Sequence, residues 1–169
     1  MHFEWNEQTL TNPDHRVRFE TLLKTAEPYR AVFLIHMNFD VNPSQEIDEF
    51  FALTQKYSRL TFIIAHAAGE HMTILGTLGK ELENPDSYDN IYTEVSAFFM
   101  QPPEKFVKTL HAFGIRRVLF GTDYPLYSSR NTLENFMKLP LKDREKFLVL
   151  YQNGADLLKK IVKNKPALR

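Results

Sequence analysis

Leu60-Thr61-Phe62-Ile63-Ile64-Ala65-His66 is the stretch that decides the fold. It is an almost unbroken apolar run that ends on a histidine. A strand with one wet face alternates apolar and polar residues. A continuous run suits a strand buried on both faces, as in a parallel sheet. Working outward, the same design recurs. Ala31–Ile35 leads into His36 and Arg117–Phe120 into Gly121-Thr122-Asp123, while a further β-like run that is not continuously apolar, Ile91–Val95, leads into Ser96. These terminal polar residues stand at intervals of 30, 30 and 27 residues, by their numbers in the chain.

Helical patterns fill the intervals. Asn12-Pro13 opens the first: Asn caps, and Pro fits a first turn that needs no N–H. Val17, Leu22, Leu23 and Ala26 follow at helical spacing. Asn42-Pro43 opens a second helix that runs to about Lys56. A third is expected over Glu70–Leu82, weakened by Gly76 and Gly79. Pro102-Pro103 starts a fourth, which Gly114 stops. Further helices are expected over Asn131–Lys138 and Leu141–Lys163, the latter breaking near Asn153-Gly154, before a frayed tail over Asn164–Arg169. The polar stretch Leu82–Asn90 is read as a loop on one rim. Strands alternating with helices predict an α/β fold of parallel βα units with right-handed crossovers, in one domain over residues 1–169.

Composition limits the function. Lys and Arg number 21 and so do Asp and Glu, so no global field would draw nucleic acid or an anionic membrane. With 43% hydrophobic and 25% charged residues the chain is ordinary globular material. The 14 phenylalanines imply bulky core packing. The absence of cysteine excludes disulfides, iron–sulfur clusters and a thiol nucleophile. Met1 to Leu10 lack the pattern of a signal peptide. No apolar run approaches the ~20 residues that span a bilayer. A cytoplasmic protein acting on a small molecule is the expectation.

The C-terminal ends of parallel strands form one rim, where α/β proteins build their sites. His36, His66 and Asp123 are therefore the candidate metal ligands. Two imidazoles and a carboxylate suit one divalent ion, Zn²⁺ first and Mn²⁺ or Fe²⁺ next. The same three also suit acid–base catalysis without metal, with Asp123 and His66 as the catalytic pair. Ser96 and Tyr124 are the candidates for touching substrate. Gly121 reads as the residue of a tight turn and Pro125 as a stiff exit. Glu94 lies two residues before Ser96, hence on the same strand face, and is a candidate buried partner. Glu70-His71 is not the HExxH motif, because position 74 is Ile, and reads as a solvated helix start. His2 and His15 have no supporting context, and His111 reads as a surface residue of a helix.

"FLIH", "FIIAHAAG", "IYTEVSAF", "RVLFGTDYP" and "NGADLL" together resemble the amidohydrolase-related branch of the amidohydrolase superfamily, over about Arg18 to Lys160. The branch includes metal-dependent hydrolases and aminocarboxymuconate-semialdehyde decarboxylase-like enzymes. The resemblance implies a (β/α)₈ barrel of which this chain holds strands five to eight, a half-barrel. It implies that His36 is a metal ligand and that His66 is a ligand or an acid–base group. Asp123 would bind metal or deprotonate the attacking water, and Asn153 and Ala155 would fall in the motif that opens the helix after the last strand. The family's first-strand His-x-His pair, which supplies two further ligands, has no counterpart here. The chain thus looks truncated. It is expected to form a homodimer or to pair with a separate N-terminal half-barrel, because an open half-barrel exposes strand edges and an apolar face.

Two other readings compete with a metal-dependent hydrolase or decarboxylase. One is a catalytically inactive half-barrel that binds a ligand or partner chain. The other is a doubly wound flavodoxin-like domain, against which stands the absence of glycine from the loop His36-Met37-Asn38-Phe39-Asp40.

Overall fold

The protein is described by a computed structural model over residues 9–37, 43–67, 89–96, 98 and 101–164. The expected helix at Glu70–Leu82, Glu70-His71, His2, and all but the last two residues of the expected loop Leu82–Asn90 lie outside the described residues, as does the tail beyond Asn164.

Asn12 and Pro13 act as their types predict. The Asn12 Oδ1 accepts from the backbone N–H of Asp14 at 3.0 Å and of His15 at 3.3 Å, starting helix α1 (Pro13–Ala26). Next come strand β1 (Val32–Ile35), helix α2 (Pro43–Lys56), strands β2 (Thr61–Ile64) and β3 (Ile91–Glu94), and helix α3 (Pro103–Phe113). Gly114 ends α3 at φ 104°, a backbone conformation that a side chain would resist, and returns its N–H to Leu110 and His111. Strand β4 (Val118–Leu119) follows, then α4 (Ser129–Met137), α5 (Asp143–Phe147) and α6 (Asn153–Asn164).

The four strands form one parallel sheet in the order β1-β2-β3-β4. Each strand joins on the same side as the one before. A doubly wound sheet reverses direction at a switch point, and no reversal occurs among the described strands. Register places Leu34 beside Ile63 and Ile63 beside Tyr92, while Ile35, Ile64 and Thr93 form the neighbouring row.

That register separates two faces. Ile35, Phe62, Ile64, Ile91, Thr93 and Val118 are all buried on the helix side. There the phenylalanines make a continuous layer. Phe33 meets Phe19 of α1 edge to face at 6.3 Å and stacks on Phe62 at 6.0 Å, and Phe62 meets Phe50 of α2 at 5.8 Å. The other face differs from expectation. Burial on both sides was predicted from the apolar runs, but Val32 is 41% and Leu34 is 52% exposed. In β1 the apolar run therefore holds, and its second face is uncovered.

Buried polar side chains tie the loops to the sheet. The Glu46 carboxylate accepts from the backbone N–H of Leu10 and Thr11 at 2.9 and 2.8 Å. The Asn90 amide donates to the carbonyls of Thr54 and Leu60, both at 3.1 Å. The Asn153 amide donates to Ile115 O at 2.8 Å and Val118 O at 2.7 Å, which pins the start of α6 to β4. Asn153→Ala would strand two carbonyls in a site where Asn153 is 5% exposed. A loss of roughly 1–3 kcal/mol is expected, read from denaturant unfolding.

The predicted helix break near Asn153-Gly154 is not found. Leu148–Gln152 forms a π-helical turn that carries α5 into α6 without interruption. The wide turn keeps Leu148 and Val149 buried.

The first turn of α5 offers a pH test. The Glu145 carboxylate accepts from the Lys142 backbone N–H at 2.8 Å and from the His111 ring at 2.9 Å, and His111 is otherwise a surface residue as expected. Its carboxyl is held below the ordinary value of 4.5, first by that backbone bond and then by His111, with burial opposing. A carboxyl lowered on folding stabilises above its unfolded pKa, and the contribution is lost as pH falls through the folded one. The melting temperature of Glu145→Gln should therefore approach that of the parent as pH drops below about 4.5.

Candidate functional site

His36 follows β1 as a single bridge residue, two positions after Leu34 and so on the same face. His66 and Ala67 leave β2 in a left-handed turn, at φ 57° and 49°. Residues with side chains rarely adopt this conformation, and holding it takes compensating contacts. Glu94 supplies one. Its Oε1 accepts the His66 backbone N–H at 2.6 Å.

The two imidazoles meet. Their ring centroids lie 4.9 Å apart at 67°, edge to face. His66 Nδ1 is 2.7 Å from Ser96 Oγ, and the Ser96 hydroxyl donates to Glu94 Oε1 at 2.8 Å. The Ser96 backbone N–H donates to Glu94 Oε2 at 2.8 Å. His66 Nδ1 is 3.6 Å from Glu94 Oε1, too far for a direct bond, so Ser96 mediates. The side chains of His66 and Glu94 are 18% and 12% exposed, so the cluster sits at the rim with one edge reachable.

Asp123 also takes a left-handed conformation, at φ 54°, on the turn after β4, where its carbonyl accepts the Leu126 N–H. It follows the same ends of the sheet as His36, His66 and Ser96. It does not join them: among the described residues no three His, Asp or Glu side chains stand close enough to hold a metal ion. Strands lie about 4.8 Å apart, so the ends of the first and fourth strands are roughly 14 Å apart along a sheet. Tyr124 is 74% exposed, with a cis bond to Pro125.

Gly121 has a different role from the one its sequence context suggests. Its φ is not in the left-handed region, and the tight-turn expectation is corrected. A Cβ there would stand 2.0 Å from Glu94 Oε2 and 2.9 Å from Glu94 Cδ. Glycine is needed because the carboxylate packs onto the backbone. No sequence signal showed this approach. Glu94 itself was legible as a side chain sharing the face of Ser96 and as a candidate buried partner, which its bonds to Ser96 and its 12% exposure match.

A cleft of about 230 Å³ lies at the opposite end of the strands, between Arg30, Arg59, Asp89 and Lys160, and takes no part in the imidazole cluster. Among the described residues no helix is long and apolar enough to cross a membrane.

A family model described as amidohydrolase matches residues 2–160. The chain belongs to this family. Solved structures agree in fold. A 2,6-dihydroxybenzoate decarboxylase from Rhizobium superposes with a TM-score of 0.64 at 15% identity, over 90% of this chain and 57% of its own. A TIM-barrel protein from Bordetella bronchiseptica gives 0.64 at 20% identity, over 86% and 51%. A dihydroxybenzoic acid decarboxylase from Polaromonas sp. JS666, solved with manganese and the inhibitor 2-nitroresorcinol, gives 0.63 at 14% identity, over 90% and 55%. This amidohydrolase-family chain thus spans little more than half the length of each. No curated protein matches it. The donor chemistry of the rim fits a divalent ion in part: two imidazoles are together, and His66 has its Nδ1 anchored, as metal-binding histidines usually do.

Proposed function

We propose that the chain carries part of a metal-dependent site of the amidohydrolase type. The site acts on a small molecule by hydrolysing a C–N or C–O bond or by decarboxylation. The observation that supports this best is the meeting of His36 and His66 at the rim, 4.9 Å apart, with His66 hydrogen-bonded to Ser96.

In this reading His36 and His66 would hold the ion, and Asp123, which stands apart from them among the described residues, would add its carboxylate only once a second half-barrel closes the rim. Zn²⁺ is the first choice for such nitrogen and oxygen donors, with Mn²⁺ or Fe²⁺ as alternatives. The ion, when bound, supplies Lewis acidity and a water of lowered pKa. Asp123 takes a proton from the attacking water in hydrolysis. Where His66 does not hold the ion it polarises or protonates the substrate, which the exposed Tyr124 flanks; Ser96, expected to touch substrate, is 1% exposed and instead backs His66.

The four strands correspond, in the same proposal, to strands five to eight of a barrel. The remaining ligands and the cover for Val32 and Leu34 come from a second half-barrel, either a second copy or a separate N-terminal half. Light scattering should then give a mass above 19.8 kDa in the presence of the right partner. A catalytically inactive half-barrel that binds a ligand or partner chain is the second reading. It is favoured by the lack of a three-ligand cluster among the described residues.

Elemental analysis after loading with Zn²⁺ or Mn²⁺ and desalting separates the two. Near-stoichiometric metal that is lost in His36→Ala and in His66→Ala supports the metal-dependent site. A wild-type chain that retains none supports the inactive reading.

A further inference from the structure

We infer that Glu94 is a positioning residue that acts through Ser96 to hold His66 in the Nδ1–H tautomer, so that Nε2 is the bare nitrogen offered at the rim. This rests on the reading of His66 as a site residue and assigns what orients it.

The argument is a count of protons. A carboxylate only accepts hydrogen bonds. Glu94 receives three: from the His66 backbone N–H at 2.6 Å, the Ser96 backbone N–H at 2.8 Å and the Ser96 hydroxyl at 2.8 Å. The hydroxyl has one proton, and it points to Glu94. The Ser96 oxygen therefore has only lone pairs left for His66 Nδ1, 2.7 Å away. That contact is a hydrogen bond only if Nδ1 carries a proton. A neutral imidazole carries one N–H, so Nε2 is left with its lone pair. The reverse tautomer would set the lone pair of Nδ1 against an oxygen whose proton faces elsewhere.

The arrangement is held from several sides. The same carboxylate fixes the left-handed turn at His66 through the backbone, so ring and main chain are aligned by one group. Gly121 leaves room for Oε2, which a Cβ would approach to 2.0 Å. Ser96 is 1% exposed, so bulk solvent does not compete for its hydroxyl. A nitrogen lone pair so directed can bind a metal ion or accept a proton from a substrate. A freely tautomerising ring would offer it only part of the time.

The test is NMR of metal-free, ¹⁵N-histidine-labelled protein at a pH where the ring is neutral. Two-bond ¹H–¹⁵N correlations read the tautomer, and His66→Gln identifies the signal among the six histidines. Wild-type His66 is expected in the Nδ1–H form. Ser96→Ala should shift it to a mixture or to the Nε2–H form, and Ser96→Thr, which keeps a hydroxyl, should restore the wild-type pattern. Glu94→Gln should also release the tautomer, and if that variant does not fold the Ser96 pair decides. A wild-type ring protonated on Nε2, or a tautomer unmoved in Ser96→Ala, overturns the inference. Since no metal or turnover is involved, this result stands apart from the elemental analysis: a chain that binds no ion can still show the fixed tautomer, and one that binds an ion can fail to.

Discussion

Gly121→Ala is expected to dismantle the imidazole cluster while Gly154→Ala improves the protein. At position 121 a methyl group would come within 2.0 Å of Glu94 Oε2, inside any permitted contact. The carboxylate must move, and it cannot move freely. It is tied to two backbone N–H groups and one hydroxyl on the other side. Either those bonds break, leaving donors unpaired in a mostly buried place, or β4 shifts away from β3. Forcing an added carbon into a packed site costs about 1–3 kcal/mol, and unpaired buried donors add about as much again. A fall of roughly 2–5 kcal/mol in unfolding free energy is expected, together with loss of the His66–Ser96 hydrogen bond. At position 154, inside α6, an added Cβ would meet nothing within 4 Å. Alanine there should stabilise by about 0.5–1 kcal/mol through helix propensity. Equal effects of the two substitutions in a urea titration would contradict the close approach of Glu94.

That contrast shows where the sequence could be read and where it could not. Strands β1, β2 and β4 were legible because LTFIIA and its relatives are too apolar and too short for anything but buried strands, and β3 from the β-like run IYTEV. The structure trims each expected strand by one or two residues. Helix starts were legible wherever a cap and a proline stood together, as at Asn12-Pro13. The convergence of His36 and His66 followed from strand polarity alone, since side-by-side parallel strands must bring their ends to one rim. Contacts made by particular side chains were not legible. The pattern IYTEVS places Glu94 and Ser96 on one face but does not tell that the carboxylate turns back to cap the His66 turn. Nor does the GTD motif reveal that its glycine makes room for that carboxylate. Asp123 shows the opposite failure. Its position after β4 matched the rule, but placement on a rim does not fix distance across it. Polarity is a property of each strand, whereas reach depends on how far the sheet curls.

Phe62→Ala should have the largest effect on stability of any single truncation in the sheet. Phe62 is fully buried in β2, flanked in register by Phe33 of β1 on one hand and by Ile91 of β3 on the other. Its ring stacks on Phe33 at 6.0 Å and meets Phe50 edge to face at 5.8 Å, and Phe33 in turn meets Phe19. Removing it opens a void between β1, β2, α1 and α2 that the neighbouring rings cannot fill, since their backbones are fixed by the sheet and helices. Losses of about 3–5 kcal/mol follow from such truncations. For a domain of this size that is a large share of a total stability of about 5–15 kcal/mol. The matching change on the opposite face, Leu34→Ala, removes a side chain that is 52% exposed and should cost far less in the isolated chain. If a second half-barrel covers that face, the ratio changes with the partner: Leu34→Ala would then weaken association while Phe62→Ala would still weaken folding. Measuring both variants by urea unfolding, across a range of protein concentrations, distinguishes the core that the chain builds alone from an apolar face that another set of strands completes. A Leu34→Ala effect as large as that of Phe62→Ala at every concentration would place the two residues in one core and contradict the two-faced sheet.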